Sequence, residues 1–297
     1  MAIPESQLET WARRGSITQS RDTYATIKRA LEATNANYAN RNFDVFLQGS
    51  YGNDTNIISE SDVDVVIRYN TAFYHDLEDL PADQKSAFKA YFADGTYHYS
   101  NFKSDVQTAL DAAFGHSVNP DKKAIKIAAN SSRRNADVVV AFEYRRYYRF
   151  NGKDDESFDT GIIFFTSANR RIANYPQQHS ANCTTKHQGT GENFKPLVRI
   201  FKNMRSKLVD DGVIEKGIAP SYFIEGLLYN VPDDAFSGSY ANMVFNILTW
   251  LQKTTGRTEF LCANEQYYLL RDNDPVCWPV ANGEKFINAV IQLWNDW

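Results

Sequence analysis

Three aspartates give the first chemical signal. Asp62 and Asp64 stand two apart at the head of the apolar run 63–67, and Asp137 opens a second such run, 138–142. Successive side chains of a strand point to opposite faces, so residues two apart project together. Asp62 and Asp64 therefore share a face, with Val63 turned into a core. Adjacent carboxylates repel and resist ionising unless a cation lies between them. Mg²⁺ suits such a place, taking oxygen ligands from one or two carboxylates and filling its shell with water and substrate phosphate. If the two strands pair side by side, Asp137 adds a third oxygen donor beside an attacking hydroxyl. Two Mg²⁺ ions are the expected cofactors, with Mn²⁺ as a substitute, and the chemistry is phosphoryl or nucleotidyl transfer.

Upstream, the apolar run 45–47 meets Gln48, Gly49 and Ser50. Glycine lets a backbone approach a ligand closely, and N–H groups in a tight turn cradle phosphate, with the Ser hydroxyl as a further donor. Taken singly, Asp-x-Asp is ordinary turn material and Gly-Ser is ordinary loop. Gly-Ser, a polar gap, Asp-x-Asp on a strand and a later Asp-led strand form a far more specific set.

That set resembles the polymerase-beta-like nucleotidyltransferases, and within them the bacterial cGAS/DncV-like enzymes that make cyclic di- and trinucleotide signals in antiphage defence. The resemblance extends over most of the chain: residues 4–9, Asn174-Tyr175-Pro176, Lys195-Pro196 with Phe201-Lys202-Asn203, and residues 219–223. These outer segments are most similar to the CdnE-like clade, whose members often incorporate pyrimidines. The resemblance implies an α+β fold with a mixed-sheet catalytic lobe, 1–180, and a helical lobe, 181–297, enclosing a nucleotide cleft. It also implies a long N-terminal helix along both lobes, NTP substrates (UTP and ATP), and a downstream effector that senses the cyclic product.

Composition agrees with a soluble enzyme large enough to bury a substantial core, at 297 residues and 43% apolar content. The net charge of −4 gives no basic bias, which argues against a long nucleic-acid partner. No membrane-length apolar run and no signal-peptide pattern is present, and three widely spaced cysteines (Cys183, Cys262, Cys277) suit a reducing cytoplasm.

The elements that must position these residues follow from periodicity. Residues 5–35 read as helical, with Ser16 or Thr18 as a cap and Tyr24, Ile27, Ala30 and Leu31 on one face. Residues 70–80 read as a surface excursion, 83–93 and 99–114 as helices, 122–128 as a strand, and 162–165 as another. The basic aromatic stretch 144–149 reads as a strand end with solvated arginines, or alternatively as a phosphate contact. Beyond about 190 helical periodicity dominates, over 194–209, 222–229, 240–254 and 283–297. The natural boundary is 175–190, which is poor in apolar residues.

Lys195, Arg199 and Lys202 recur at i, i+4 and i+7 and share one helix face. The plain outcome is a solvated basic stripe. The functional one, favoured by the resemblance for Lys195 and Lys202, has them neutralise a leaving pyrophosphate, with Arg199 assisting. Ser221 and Tyr222 follow Pro220 at a helix start. Cap and core are their ordinary fates, while the resemblance implies that Ser221 touches triphosphate and Tyr222 stacks on a base. Asn174 carries an amide suited to the O4 and N3–H edge of uracil, and its place in the resembled clade goes with pyrimidine choice. His179, Cys183 and His187 supply three zinc-type ligands where a structural site needs four, so zinc is not expected. The leading function is a template-independent cyclic dinucleotide synthase using at least one uridine nucleotide. The same fold with another acceptor (an RNA 3′ end, a small molecule or a protein), or a nucleotide-binding pseudoenzyme, are the alternatives.

Overall fold

The computed structural model describes residues 2–15, 18–58, 62–274 and 276–297. The chain divides into two compact units, one built on a sheet and one helical. Of the described residues, 18–47 and 62–176 form the sheet unit, while 2–15, 48–58 and 177 onward form the helical one. The last division falls after Pro176. Two early segments, however, join the helical unit in place of the sheet, and one of them carries Gly49 and Ser50.

Among the described residues the sheet contains β1 (Phe43–Leu47), β2 (Val63–Asp76), β3 (Val118–Pro120), β4 (Ile125–Ile127), β5 (Ala136–Phe150), β6 (Glu156–Phe165) and β7 (Arg171–Asn174). The order is β1-β2-β5-β4-β3, with β6 on β5 and β7 on β6. β2 and β5 run parallel, and the other pairings are antiparallel, so the sheet is mixed. β5 branches: residues 136–138 pair with β4, whereas from Phe142 onward it pairs with β6.

Both faces of β2 and β5 are covered near their heads, which explains the unbroken Val-rich runs in place of strict alternation. One face buries Val66, Val139 and Ala141 with Ala124, Ile162 and Phe164. On the other, Tyr69 and Phe142 meet Phe102 of the helix Tyr99–Phe114, with ring centroids 5.3 and 5.9 Å away. The excursion expected at 70–80 is in fact mostly strand. β2 runs to Asp76, because residues 73–76 resume pairing with β5 after an irregularity at 69–73. Phe73 then joins an aromatic cluster with Phe88, Tyr147 and Phe150. Of the arginines in 144–149, Arg149 is exposed as expected of a solvated strand end, whereas Arg145 is largely buried, its guanidinium paired with Glu143 and 4.0 Å from the Phe73 ring centroid.

The expected N-terminal helix is two helices, Glu5–Ala12 in the helical unit and Thr18–Leu31 in the sheet unit. Ser16 lies outside the described residues, and Thr18 opens the second helix. Glu5 has a definite task, accepting from the backbone N–H groups of Tyr240 and Ala241 at 2.8 Å each. A carboxylate there satisfies orphan donors and opposes the helix dipole of Tyr240–Lys253.

The apolar-poor stretch at the boundary is also a helix, Pro176–Gly189. It evades hydrophobic periodicity because its buried side is His179 and Cys183, and because polar bonds hold it, such as Asn182 Nδ2 to Ala263 O at 2.8 Å. At the centre of the helical unit is Phe194–Asp210, which buries Leu197, Val198, Phe201, Met204 and Leu208 against the helices Ser221–Tyr229, Tyr240–Lys253 and Val280–Asp296. No helix among the described residues is long and apolar enough to cross a membrane.

Gly161 in β6 offers a test of this packing. A Cβ there would lie 2.6 Å from Asn174 O and 2.9 Å from the Tyr175 ring, so β7 must shift to admit it. Gly161→Ala should lower stability by about 1–3 kcal/mol through overpacking, read as a lower urea midpoint with an unchanged m-value.

Candidate functional site

The sheet unit carries the carboxylates. Asp64 in β2 is the register partner of Asp137 in β5. Partners on adjacent parallel strands present their side chains to the same face. Asp62, two residues before Asp64, projects to that face as well, and Asn135 Nδ2 donates to its Oδ1 at 3.2 Å. Val66, Val139 and Ala141 continue the same face downward as buried core, so the acids stand at the rim of an apolar layer.

Burial pushes the Asp137 carboxyl up from its ordinary 3.8, and the like charges of Asp62 and Asp121 add to the rise while Lys126 opposes it. Such a group gains from a nearby cation, and the donor set is all hard oxygen, which fits Mg²⁺ or Mn²⁺. Lys126, missed in the sequence, is the β4 register partner of Asp137 and ion-pairs with Asp121 at 2.8 Å. With Asp62, Asn119, Asn135 and Asp137 it lines a cavity of about 280 Å³.

Asn174 closes β7 opposite Ile162 and is half-buried. Its Oδ1 accepts from the Tyr175 N–H at 2.8 Å.

The helical unit holds the remaining candidates. Gln48 is the N-cap of a single turn, Gly49–Gly52, and Gly49 has φ +65°, where a side chain is disfavoured. The turn is closed by Asn53 N to Gly49 O at 3.0 Å and Thr55 N to Ser50 O at 2.9 Å. The basic stripe of Phe194–Asp210 is not solvated: Lys195 and Arg199 are 6% exposed and Lys202 is fully buried. Arg199 donates to Asp54 O at 2.6 Å and Ala12 O at 2.5 Å, bracing two segments by their backbones. Burial, with the like charge of Arg14, pulls its guanidinium down to about 10. Lys195 reaches Thr184 Oγ1 at 3.4 Å and the Asp54 carboxylate at 3.7 Å. Lys202 Nζ donates to Ser50 Oγ at 2.6 Å and Thr55 O at 3.1 Å, and lies 3.5 Å from Glu225.

Ser221 is the first helical residue after the N-cap Pro220, so it is not the cap. Tyr222 does stack, but internally: His179 lies parallel at 4.5 Å and Trp278 at 6.5 Å, while the phenol oxygen accepts from Asn264 Nδ2 at 3.0 Å. A base would have to displace one of these neighbours to use the ring face. His187 does not join His179 and Cys183; Glu225 does, the ligand atoms of the three lying within 4.8 Å of one another. Glu225 was the main omission from the sequence reading. The visible signal was a lone acid inside an otherwise apolar helix, Tyr222-Phe-Ile-Glu-Gly-Leu-Leu228.

The mixed sheet, its in-register acids and the helical companion define the class, a nucleotidyltransferase. The family model for the C-terminal helical domain of cGAS/DncV-like nucleotidyltransferases matches residues 181–295. Over its whole length the chain is 37% identical to all of the cyclic nucleotide synthase CdnE01 of Staphylococcus haemolyticus. It is also 37% identical to the cyclic UMP-AMP synthase of Rhodothermus marinus, covering 100% of this chain and 99% of that one. The solved R. marinus CdnE structure, with Apcpp and Upnpp, superposes with a TM-score of 0.89 over 99% of this chain and 97% of that chain, at 36% identity. A cyclic dipurine nucleotide synthase of Elizabethkingia meningoseptica is 34% identical over 93% of each chain. The chain belongs to the cGAS/DncV-like nucleotidyltransferases, in their CdnE-like branch.

The buried Glu225 gives a pH test. Burial alone raises a carboxyl, but Lys202, His179 and Thr55 outweigh it and hold Glu225 down at about 2, against an ordinary 4.5. Since the unfolded chain takes up this proton first as pH falls, the group stabilises the fold fully above about 4.5 and loses that contribution toward 2. Urea midpoints of wild type and Glu225→Gln should therefore differ at pH 7 and converge between pH 4.5 and 2.

Proposed function

We propose that this chain condenses two nucleoside triphosphates, at least one of them UTP, into a cyclic dinucleotide that signals in antiphage defence. The observation that carries the reading is the register of Asp64 with Asp137, with Asp62 on the same face. A pseudoenzyme has no need of three acids in that arrangement, and the net charge of −4 does not favour an RNA acceptor.

In this reading Asp62, Asp64 and Asp137 hold two Mg²⁺ ions. Bound there, the metal supplies charge neutralisation at the triphosphate and acidifies the attacking ribose hydroxyl. Asp137, beside the attacking hydroxyl, receives its proton as the oxygen bonds to the donor α-phosphorus. The bond from that phosphorus to the bridging oxygen breaks, and pyrophosphate leaves. A second transfer within the linear intermediate closes the ring. Gln48, Gly49, Ser50 and Ser221 bind triphosphate oxygens, and Lys195 and Lys202 offset their charge. Arg199, spent on two carbonyls, serves by bracing the segment that holds Ser50. Tyr222 bounds the base pocket with its neighbours His179 and Trp278.

Base choice is assigned to Asn174. Relatives of near-equal identity are named as UMP-AMP and dipurine synthases, so overall likeness does not select the base. The Asn174 amide accepts from Tyr175 N–H through Oδ1, and its NH₂ is of the donor type that uracil O4 takes.

Incubation with ATP, GTP, CTP and UTP plus Mg²⁺, omitting each in turn, should yield a phosphatase-resistant dinucleotide that disappears without UTP. Mass spectrometry reads the product, and a purine-only product would remove the role given to Asn174. Asp64→Asn and Asp137→Asn should each lower product formation by about 10²–10⁴-fold with unchanged circular dichroism. Asn174→Ala should lower the preference for UTP over ATP by about tenfold or more.

A further inference from the structure

Glu225 is 1% exposed and makes more polar contacts than a structural acid in an apolar helix requires. Its Oε2 accepts from Asn53 Nδ2 at 2.9 Å and lies 2.7 Å from His179 Nε2. Its Oε1 accepts from the Thr55 hydroxyl and faces Lys202 Nζ at 3.5 Å. Asn53 and Thr55 are the side chains by which the Gly49–Ser50 turn enters the helical core, and both are buried.

Lys202 has three donors and no acceptor. They are directed to Ser50 Oγ, to Thr55 O, and to the Thr55 hydroxyl and Glu225 carboxylate together. The ammonium is therefore committed within the protein.

A metal at His179, Cys183 and Glu225 does not fit this arrangement. The carboxylate is already matched by an ammonium and by the donors of Asn53 and Thr55. A second cation on the carboxylate that Lys202 already faces at 3.5 Å would also be repelled in a dry interior.

We propose that Glu225 is a positioning residue for triphosphate binding: through Asn53, Thr55 and Lys202 it holds the Gly49–Ser50 turn so that Ser50 presents its hydroxyl to phosphate. Lys202 then acts through Ser50. The inference rests on the nucleotidyltransferase reading, in which Ser50 is a triphosphate ligand. Removing Glu225 frees the turn and leaves Lys202 an uncompensated buried cation, so it acts on stability as well as binding. Thr55→Val cuts the tether to Glu225 and one contact of Lys202, while keeping the shape of the side chain, the backbone acceptor at Thr55 and the ion pair.

The test is calorimetric titration of a non-hydrolysable UTP analogue, with KM and kcat, for wild type, Glu225→Gln and Thr55→Val. Both variants should bind at least about fivefold more weakly and raise KM by a similar factor, with kcat within about threefold of wild type. Glu225→Gln should also melt lower, while Thr55→Val should melt within a few degrees of wild type. If Glu225→Gln does not fold, Thr55→Val alone decides. Unchanged affinity and KM in folded Thr55→Val would overturn the proposal, as would stoichiometric zinc in the purified protein. Wild-type protein that binds the analogue but forms no product from any NTP mixture would instead overturn the function reading, and the binding comparison would still decide the role of Glu225.

Discussion

Parallel pairing of β2 with β5 is the constraint on which the placement of the acids depends. The two strands are 73 residues apart in sequence at Asp64 and Asp137, yet their register places those residues opposite one another. A slip of one residue would turn Asp137 to the other face and bury its charge in the layer of Val138 and Val140. The valines below the acids resist that slip, because both faces of these strands are filled. Core packing and acid placement are thus one property of the sheet.

The helical unit solves a different problem, how to keep cations dry. Lys202 is fully buried and Lys195 and Arg199 nearly so, in a helix whose other buried residues are aliphatic or aromatic. An unpaired buried ammonium is severely unfavourable. Each cation is therefore met by a specific acceptor: Glu225 and Ser50 for Lys202, two backbone carbonyls for Arg199, Thr184 and Asp54 for Lys195. Such pairs contribute little net stability, because desolvation offsets much of the attraction. What they add is specificity, since one arrangement of the 48–58 segment satisfies all three cations.

Local sequence carried a great deal of this protein. The Gly-Ser, Asp-x-Asp and Asp137 pattern, the valine-rich strands and the helix Tyr99–Phe114 are legible because each rests on spacing within a few residues. Strand and helix periodicities are local properties of the chain, and so is the left-handed conformation that calls for glycine at position 49.

Tertiary structure alone decided which side chains meet. Periodicity placed Lys195, Arg199 and Lys202 on one face but could not say whether water or Glu225 awaited them. Tyr222 was legible as an aromatic at a helix start, whereas its partners, His179 and Trp278, come from distant segments. The helix Pro176–Gly189 was hidden because its buried face is polar, and its partners are supplied by residues near 231 and 263. Burial is a property of the whole chain, so the charge of a residue can be read from sequence while the compensation of that charge cannot.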